Sequence, residues 1–287
     1  MIYQIQPFET LPLKHTFMFG QVMQKPEICQ LFLEELFGWN IERIEYVDRE
    51  KDITDRYLGR GIRLDIYIRH SDAVYNIEMQ SQEEKSLERR IRFYQSGIDR
   101  EELRRGVSYE SLPETYIIFI CDYDPIKVGN AVYERKAFWD DPSHPCNDGT
   151  HAILLNSTYK NRNTSPAILE FLDYIHTNDD AAEYSSSLAR QAKEQVHRIR
   201  LDKEVGEKYM LWELEMQQAE KRGRKAGELL LLINQICRKI TKGKSIEMIA
   251  DELEEDISVI EPIYKIAEQF SPDFDIEQIY EKLKTKV

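Results

Sequence analysis

Ile62-Arg-Leu-Asp-Ile-Tyr-Ile-Arg69, then His70-Ser-Asp-Ala73, then Val74-Tyr-Asn-Ile-Glu-Met-Gln80 is the stretch on which the fold turns. Both flanking runs alternate with period two, which predicts two antiparallel strands joined by a short turn. In the first run Ile62, Leu64, Ile66 and Ile68 share one face, and Arg63, Asp65, Tyr67 and Arg69 the other. In the second, Tyr75, Ile77 and Met79 share one face, and Asn76, Glu78 and Gln80 the other. A symmetric turn pairs Arg69 with Val74, hence Asp65 with Glu78 and Arg63 with Gln80, while Ile66 meets Ile77 on the apolar side.

Directly opposed residues hold their Cβ atoms about 4.5–5.5 Å apart, where like charges are destabilising. On an exposed face, solvent screening tolerates such a pair. In a cleft, the pair requires a raised pKa or a cation. Two carboxylates so placed can share one hard divalent ion such as Mg²⁺, which takes one or two carboxylates and keeps its waters. An ion there supplies a nucleophilic water and screens a phosphate oxygen. Gln80 points the same way and can orient water or phosphate by hydrogen bonds, but it can neither act as a base nor carry charge.

Working outward, Phe17 to Phe37 reads as two helical pieces, with Pro26 at a first helical position and Gly38 just past an end. Ile41 to Val47 reads as a strand, followed by a polar connector ending in Gly59-Arg60-Gly61. After the hairpin, Glu84 to Arg105 predicts a charged helix whose Leu87, Ile91, Tyr94 and Ile98 form one apolar stripe. Thr115 to Asp122 is a continuous apolar run, expected as a buried central strand. His151 to Asn156 reads as another strand, and Ser165 as the cap of a helix running to about Thr177.

The character changes near residue 180. The expected division is a core over 1–180, one long charged amphipathic helix over 181–225 and a small helical module over 226–287. In the helix, Val205, Tyr209, Trp212 and Met216 form a stripe suited to packing or a homodimer seam across 190–225. A helix-turn-helix is conceivable in the last module, but its 13 acidic against 8 basic residues favour a protein contact over DNA.

With 287 residues, 41% hydrophobic and 32% charged, the composition is that of a soluble globular protein. The net charge of −13 excludes a lysine-coated general polyanion binder, so any nucleic-acid role demands a local basic patch. Arg60, Arg63, Arg89, Arg90 and Arg92 are the candidates. Arg90 and Arg92 lie about 100° to either side of Ile91 and flank the stripe; the alternative is a solvated helix paired with Glu83, Glu84 and Glu88. Tyr94 reads as core rather than catalytic. Gln95 borders the stripe and is a candidate for the same surface. Asp122 and Asp124 read as turn residues before Pro125.

Cys29, Cys121 and Cys237 sit in apolar runs as small core residues, and no CxxC pair exists. His144, Cys146 and His151 lie close together but in a loop lacking a second ligand cluster, which argues against zinc. The N-terminus lacks a basic start and apolar run, and Leu229 to Ile233 is too short to cross a bilayer, so the expectation is a cytoplasmic protein without membrane contact. There is no P-loop, G-x-G-x-x-G, G-x-S-x-G or H-E-x-x-H, and nothing calls for a small-molecule cofactor.

The Asp65…Glu78-Met79-Gln80 pattern resembles the PD-(D/E)XK nuclease superfamily, with glutamine in place of the usual lysine. Phe17-Met-Phe-Gly-Gln-Val-Met23, Gly61-Ile-Arg-Leu-Asp-Ile-Tyr67, Arg92-Phe-Tyr-Gln-Ser96, Ile117-Ile-Phe-Ile-Cys-Asp122, Phe171-Leu-Asp-Tyr174 and Gly223-Arg-Lys-Ala-Gly227 narrow it. Together, over roughly residues 10–227, they are similar to the Rpn recombination-promoting nucleases, a branch of PD-(D/E)XK nuclease family transposases. The resemblance implies an α/β, restriction-endonuclease-like mixed-sheet core with helices on its flanks and a C-terminal helical arm. It implies Mg²⁺-dependent DNA cleavage, or Mn²⁺ in its place, and a link to recombination or mobile elements. Asp65 and Glu78 would be metal ligands and catalytic with Gln80, while Arg60, Arg63, Arg90, Arg92 and Gln95 would contact DNA. Members often carry an acid just before the Phe-Met-Phe run. Here Thr16 stands there, leaving Glu27, Glu34 or Glu35 as substitutes. The departure also admits a second reading: a nuclease-fold scaffold that binds DNA or protein with little catalysis.

Overall fold

The computed structural model describes residues 6–41, 44, 48–53, 62–70, 72–103 and 106–284. A six-stranded sheet organises the first part of the chain. Its strands are β1 (Asp48–Ile53), β2 (Ile62–His70), β3 (Ala73–Gln80), β4 (Glu114–Cys121), β5 (Val132–Glu134) and β6 (Thr150–Asn156). Their spatial order is β1-β2-β3-β4-β6-β5. β1, β2 and β3 are antiparallel neighbours, β3, β4 and β6 run parallel, and β5 is antiparallel to β6. β4 lies inside the sheet, and Ile117 to Cys121 are all buried, which accounts for a continuous rather than alternating apolar run.

The β2–β3 register is the one expected: Arg69 pairs with Val74, Tyr67 with Asn76 and Ile66 with Ile77. The first strand departs from expectation. Ile41 and Ile44 are buried but not in a strand, and positions 42–43 and 45–47 of the expected strand lie outside the described residues. β1 falls instead on Asp48–Ile53, inside the stretch read as a polar connector. It forms one edge of the sheet beside β2, and charged residues suit an edge that must not recruit another strand. β5, only three residues long and on the opposite edge, carries too short a pattern to be read.

Helices cover both faces of the sheet. They are α1 (Thr16–Met23), α2 (Pro26–Phe37), α3 (Leu87–Glu102), α4 (Pro166–Thr177) and α5 (Ser187–Leu201). On one face Leu87, Ile91, Tyr94 and Ile98 of α3 pack with Tyr67, Val74, Ile117, Phe119 and Leu154. On the other face Ile66, Ile68, Ile77, Ile118, Ile120 and Leu155 are buried. Phe37 at the end of α2 sits against Tyr75 and Tyr116 of that face, at 6.0 and 5.0 Å between ring centroids. α1, α2, α4 and α5 pack on one another in this second layer. Pro26 occupies the start of α2, Gly38 ends it with φ 75°, and Ser165 caps α4 through the Ile168 N–H.

The extended helix expected over 181–225 is two helices. α5 ends at Leu201, and α6 (Lys203–Ile240) begins after Asp202. The Asp202 carboxylate accepts from the N–H groups of Glu204 and Val205, so it caps α6 and ends a run that charge density alone makes look continuous. α5 belongs to the core, with Leu188, Ala189, Ala192 and Val196 fully buried.

The chain forms two compact units, Met1–Tyr209 and Met210–Val287. In the second, α7 (Ile246–Leu253), α8 (Ile257–Ala267) and α9 (Ile276–Lys284) enclose Ile233, Ile236, Ile249, Ile260, Ile263 and Ile279. Among the described residues no helix is long and apolar enough to cross a membrane.

Phe171 is fully buried and packs against Phe32 at 5.5 Å between centroids. Phe171→Ala is expected to cost about 3–5 kcal/mol in urea unfolding, whereas Trp139→Ala, at a site 73% exposed, should stay within about 0.5 kcal/mol.

Candidate active site

At the open end of the β2–β3 hairpin the ladder is replaced by side chains. Beyond the Ile66–Ile77 pair, the Asp65 N–H donates to Glu78 Oε1 at 3.0 Å, and the Met79 N–H donates to Asp65 Oδ2 at 3.1 Å. Each acid is thus held by a backbone donor, Asp65's by β3 and Glu78's by β2, which fixes the two carboxyls as neighbours. Leu64 and Tyr67 both enter the cluster beneath α3, although strict alternation would separate them, and Asp65 stands between them.

The polar face of β3 is not a solvent face. Asn76 is fully buried, Glu78 only 1% exposed and Asp65 half-buried, so Glu78 at least is not an ordinary acid on an exposed hairpin. Burial is the main force lifting the Asp65 carboxyl to about 6; Glu50 adds to it, and the Met79 N–H, Arg90 and Arg49 oppose it. Glu78 is raised well above the carboxylate range by burial and then by Asp65, against the opposing Asp65 N–H and Arg90. The pair therefore resists double ionisation unless a further positive charge arrives.

Arg90 brings part of that charge from α3. Its Nη2 donates to Glu78 Oε2 at 3.2 Å, its Nη1 to Gln80 Oε1 at 2.7 Å and its Nε to the Tyr94 hydroxyl at 2.9 Å. The guanidinium also stands 5.0 Å from the Tyr94 ring centre and 5.2 Å from that of Phe119. Tyr94 is thus both core, as expected, and a fastening for Arg90; burial and then Glu78 push its phenol to about 12. Gln80 donates its amide to the Gln82 carbonyl at 2.6 Å, which leaves its oxygen turned to the site.

Sequence reasoning missed two neighbours on β1. Arg49 lies over the Phe17 ring at 4.8 Å and donates through Nη2 to Glu50 at 3.0 Å. Gly20 makes room for it, since a Cβ there would come within 2.6 Å of Arg49 Nε. Glu50 adopts φ 56°, at the position facing Asp65 where the β1–β2 pairing skips. Both charges act on Asp65. Reading this stretch as a connector concealed them; the glycine in Phe17-Met-Phe-Gly20 was the one available hint.

Several expected site residues lie elsewhere. Arg60 is outside the described residues. Arg63 grips Asp52 through Nε and Nη2 at 3.0 and 3.3 Å. Arg92 is on the flank of α3 opposite Arg90, lining a cavity of about 530 Å³ with Ile126, Tyr133, Arg135 and Leu154. Gln95 donates to Asp99 on its own helix. The described arginines therefore do not gather into one patch.

Thr16 is exposed, and the expected substitutes do not replace an acid there. Glu34 accepts from Gln30 and the Ile41 N–H, Glu35 accepts from Ser165, and Glu27 is exposed in the first turn of α2. Asp124 is a turn residue as expected, accepting from the N–H groups of Ile126, Lys127 and Gly129. Asp122 is more than that: it joins Lys14, Ser157 and His176. His144 pairs with Asp141 and His151 with Glu114. Among the described residues no group of three His, Cys, Asp or Glu is placed to hold a metal.

The donor set at the hairpin is thus two carboxylates and one amide oxygen, and Asp65 Oδ1 makes no hydrogen bond among the described residues. That set fits a hard, water-rich ion, which takes few protein oxygens, and it does not fit a closed structural site.

An Asp on one strand and Glu-x-Gln on the next, in a mixed sheet between helical layers, define the restriction-endonuclease-like PD-(D/E)XK class. Residues 15–138 match the family described as PD-(D/E)XK nuclease family transposase. No curated protein and no solved structure matches the chain.

The raised Asp65 pKa has a directional consequence. The folded carboxyl binds its proton more tightly than the unfolded one, so stability falls as pH rises from about 4 through about 6. With chelator present, Asp65→Asn is expected to match wild type near pH 4 and to exceed it by roughly 1–3 kcal/mol at pH 8. Urea unfolding across that range checks it, and a constant gap would refute the assignment.

Proposed function

We propose that this chain is a divalent-metal-dependent DNA endonuclease, associated with recombination or mobile elements as in the Rpn branch. The observation that carries the reading is the cross-bonded pair of half-buried Asp65 and buried Glu78 beside Gln80, within the segment matched by the nuclease family.

In this reading Asp65 and Glu78 bind Mg²⁺ or Mn²⁺, and the backbone N–H groups of Asp65 and Met79 keep the two carboxylates converged. When bound, such an ion polarises a phosphate oxygen and makes a water acidic enough to attack in line. Gln80 turns its amide oxygen to the site, where it accepts a hydrogen bond from a water and orients it. The burial of Glu78 excludes bulk water from one side, which strengthens each electrostatic contact there. With a net charge of −13, DNA binding would rest on few local cations rather than a basic surface.

A scaffold with weak catalysis is the competing function, and a specific observation favours it: the acid expected before Phe17 is the exposed Thr16. Conversion of supercoiled plasmid to nicked or linear forms separates the two. Wild type should cut with Mg²⁺ or Mn²⁺ and not with chelator, and Asp65→Ala and Glu78→Ala should each lower the rate by about a hundredfold or more. Identical gels from all three proteins would leave the scaffold.

A homodimer through the 190–225 stretch belongs to the same proposal; Tyr209 of the expected stripe is instead buried against Phe8 and Phe17 of its own chain, and the motivation is the exposed Leu201, Met210, Leu211 and Leu214. Sedimentation equilibrium should then give twice the chain mass, falling to one chain for Leu211→Glu with Leu214→Glu; a monomeric wild type would rule it out.

A further inference from the structure

Arg90 and a divalent ion cannot both occupy the outer edge of Glu78. Glu78 Oε1 is committed to the Asp65 N–H, and the other oxygen, Oε2, is taken by Arg90. The amide oxygen of Gln80, the third donor atom, is taken by the same guanidinium. A guanidinium and a divalent cation a few ångströms apart repel strongly in such a low-dielectric setting. The two partners differ in freedom: the Arg90 side chain is 33% exposed, whereas that of Glu78 is 1% exposed. If one moves, it is the arginine.

We propose that Arg90 is a resident counter-ion that closes this site, that an incoming divalent ion displaces it from Glu78 and Gln80, and that the released guanidinium pairs with the phosphate of the bound DNA. This rests on the nuclease reading and adds to it a gate. An arginine suits both positions because its planar fork pairs equally with a carboxylate and with a phosphate. The fork is planar and rigid, so leaving Glu78 and Gln80 also turns Nε–H from the Tyr94 hydroxyl, and the guanidinium moves as one unit on its flexible stem. The cavity beyond α3 takes no part, because it faces Arg92.

The consequence is coupled loading. Phosphate draws Arg90 away from Glu78 and favours the metal; metal expels Arg90 and favours phosphate, and by linkage the two effects are equal. The protein alone then holds metal weakly, because it neutralises Glu78 with its own cation.

The test is calorimetric titration of Mn²⁺ into the full-length protein at pH 8, without DNA, alongside plasmid cleavage. Arg90→Met, which removes the charge and keeps much of the stem, is expected to bind Mn²⁺ about tenfold more tightly than wild type yet to cleave at least about tenfold more slowly. Arg90→Lys, which retains a charge, should bind near the wild-type level. Arg90→Gln stands in for Arg90→Met if the latter melts early. A merely structural ion pair predicts that binding and cleavage weaken together. Unchanged or weaker Mn²⁺ binding in Arg90→Met, with wild type binding normally, overturns the gate and leaves the nuclease reading intact. No Mn²⁺ binding by wild type or any Arg90 variant overturns both. Binding by Arg90→Met where wild type shows none supports the gate.

Discussion

Two like charges forced together under cover set the terms for everything around them. Asp65 and Glu78 are held as neighbours because each carboxylate accepts a backbone N–H from the opposite strand. α3 packs over the face that holds Glu78 and leaves Asp65 half-buried, so water screens their repulsion only in part. The result is a site short of positive charge, and its surroundings respond to that shortage. Arg90 reaches in from the helix, Arg49 from the edge strand, and Gly20 leaves space for Arg49 against α1.

This local balance explains how an acidic chain can carry a nuclease fold. The net charge of −13 describes the surface as a whole, whereas the site is governed by a few charges close together, whose interactions are strengthened by burial. The family match over residues 15–138 spans all of them. Glu50 complicates the balance by adding a negative charge near Asp65, and its left-handed backbone sits where the β1–β2 pairing is interrupted.

The hairpin was legible in the sequence because alternation and a short turn together leave one register, and that register brought Asp65 to Glu78. The burial of their face was not legible. Asn76, Glu78 and Gln80 read as one polar face, exposed or in a cleft, until α3 is placed over it, and no local pattern specifies where a helix docks. Arg90 and Arg92 are equivalent by helical geometry; only the placement of α3 on the sheet sends one to Glu78 and the other to a separate cavity. β1 escaped because an edge strand can be almost wholly polar. The break at Asp202 escaped because a capping aspartate inside a charged run resembles one more charge.

The most direct measurement is the anomalous difference density of a crystal of this protein soaked in Mn²⁺ at neutral pH. One strong peak between the Asp65 and Glu78 carboxylates, with the Arg90 guanidinium turned away from Glu78 Oε2, is the predicted result. Absence of a peak at that position from well-ordered, Mn²⁺-saturated crystals, with Arg90 still seated on Glu78 and Gln80, would contradict the account.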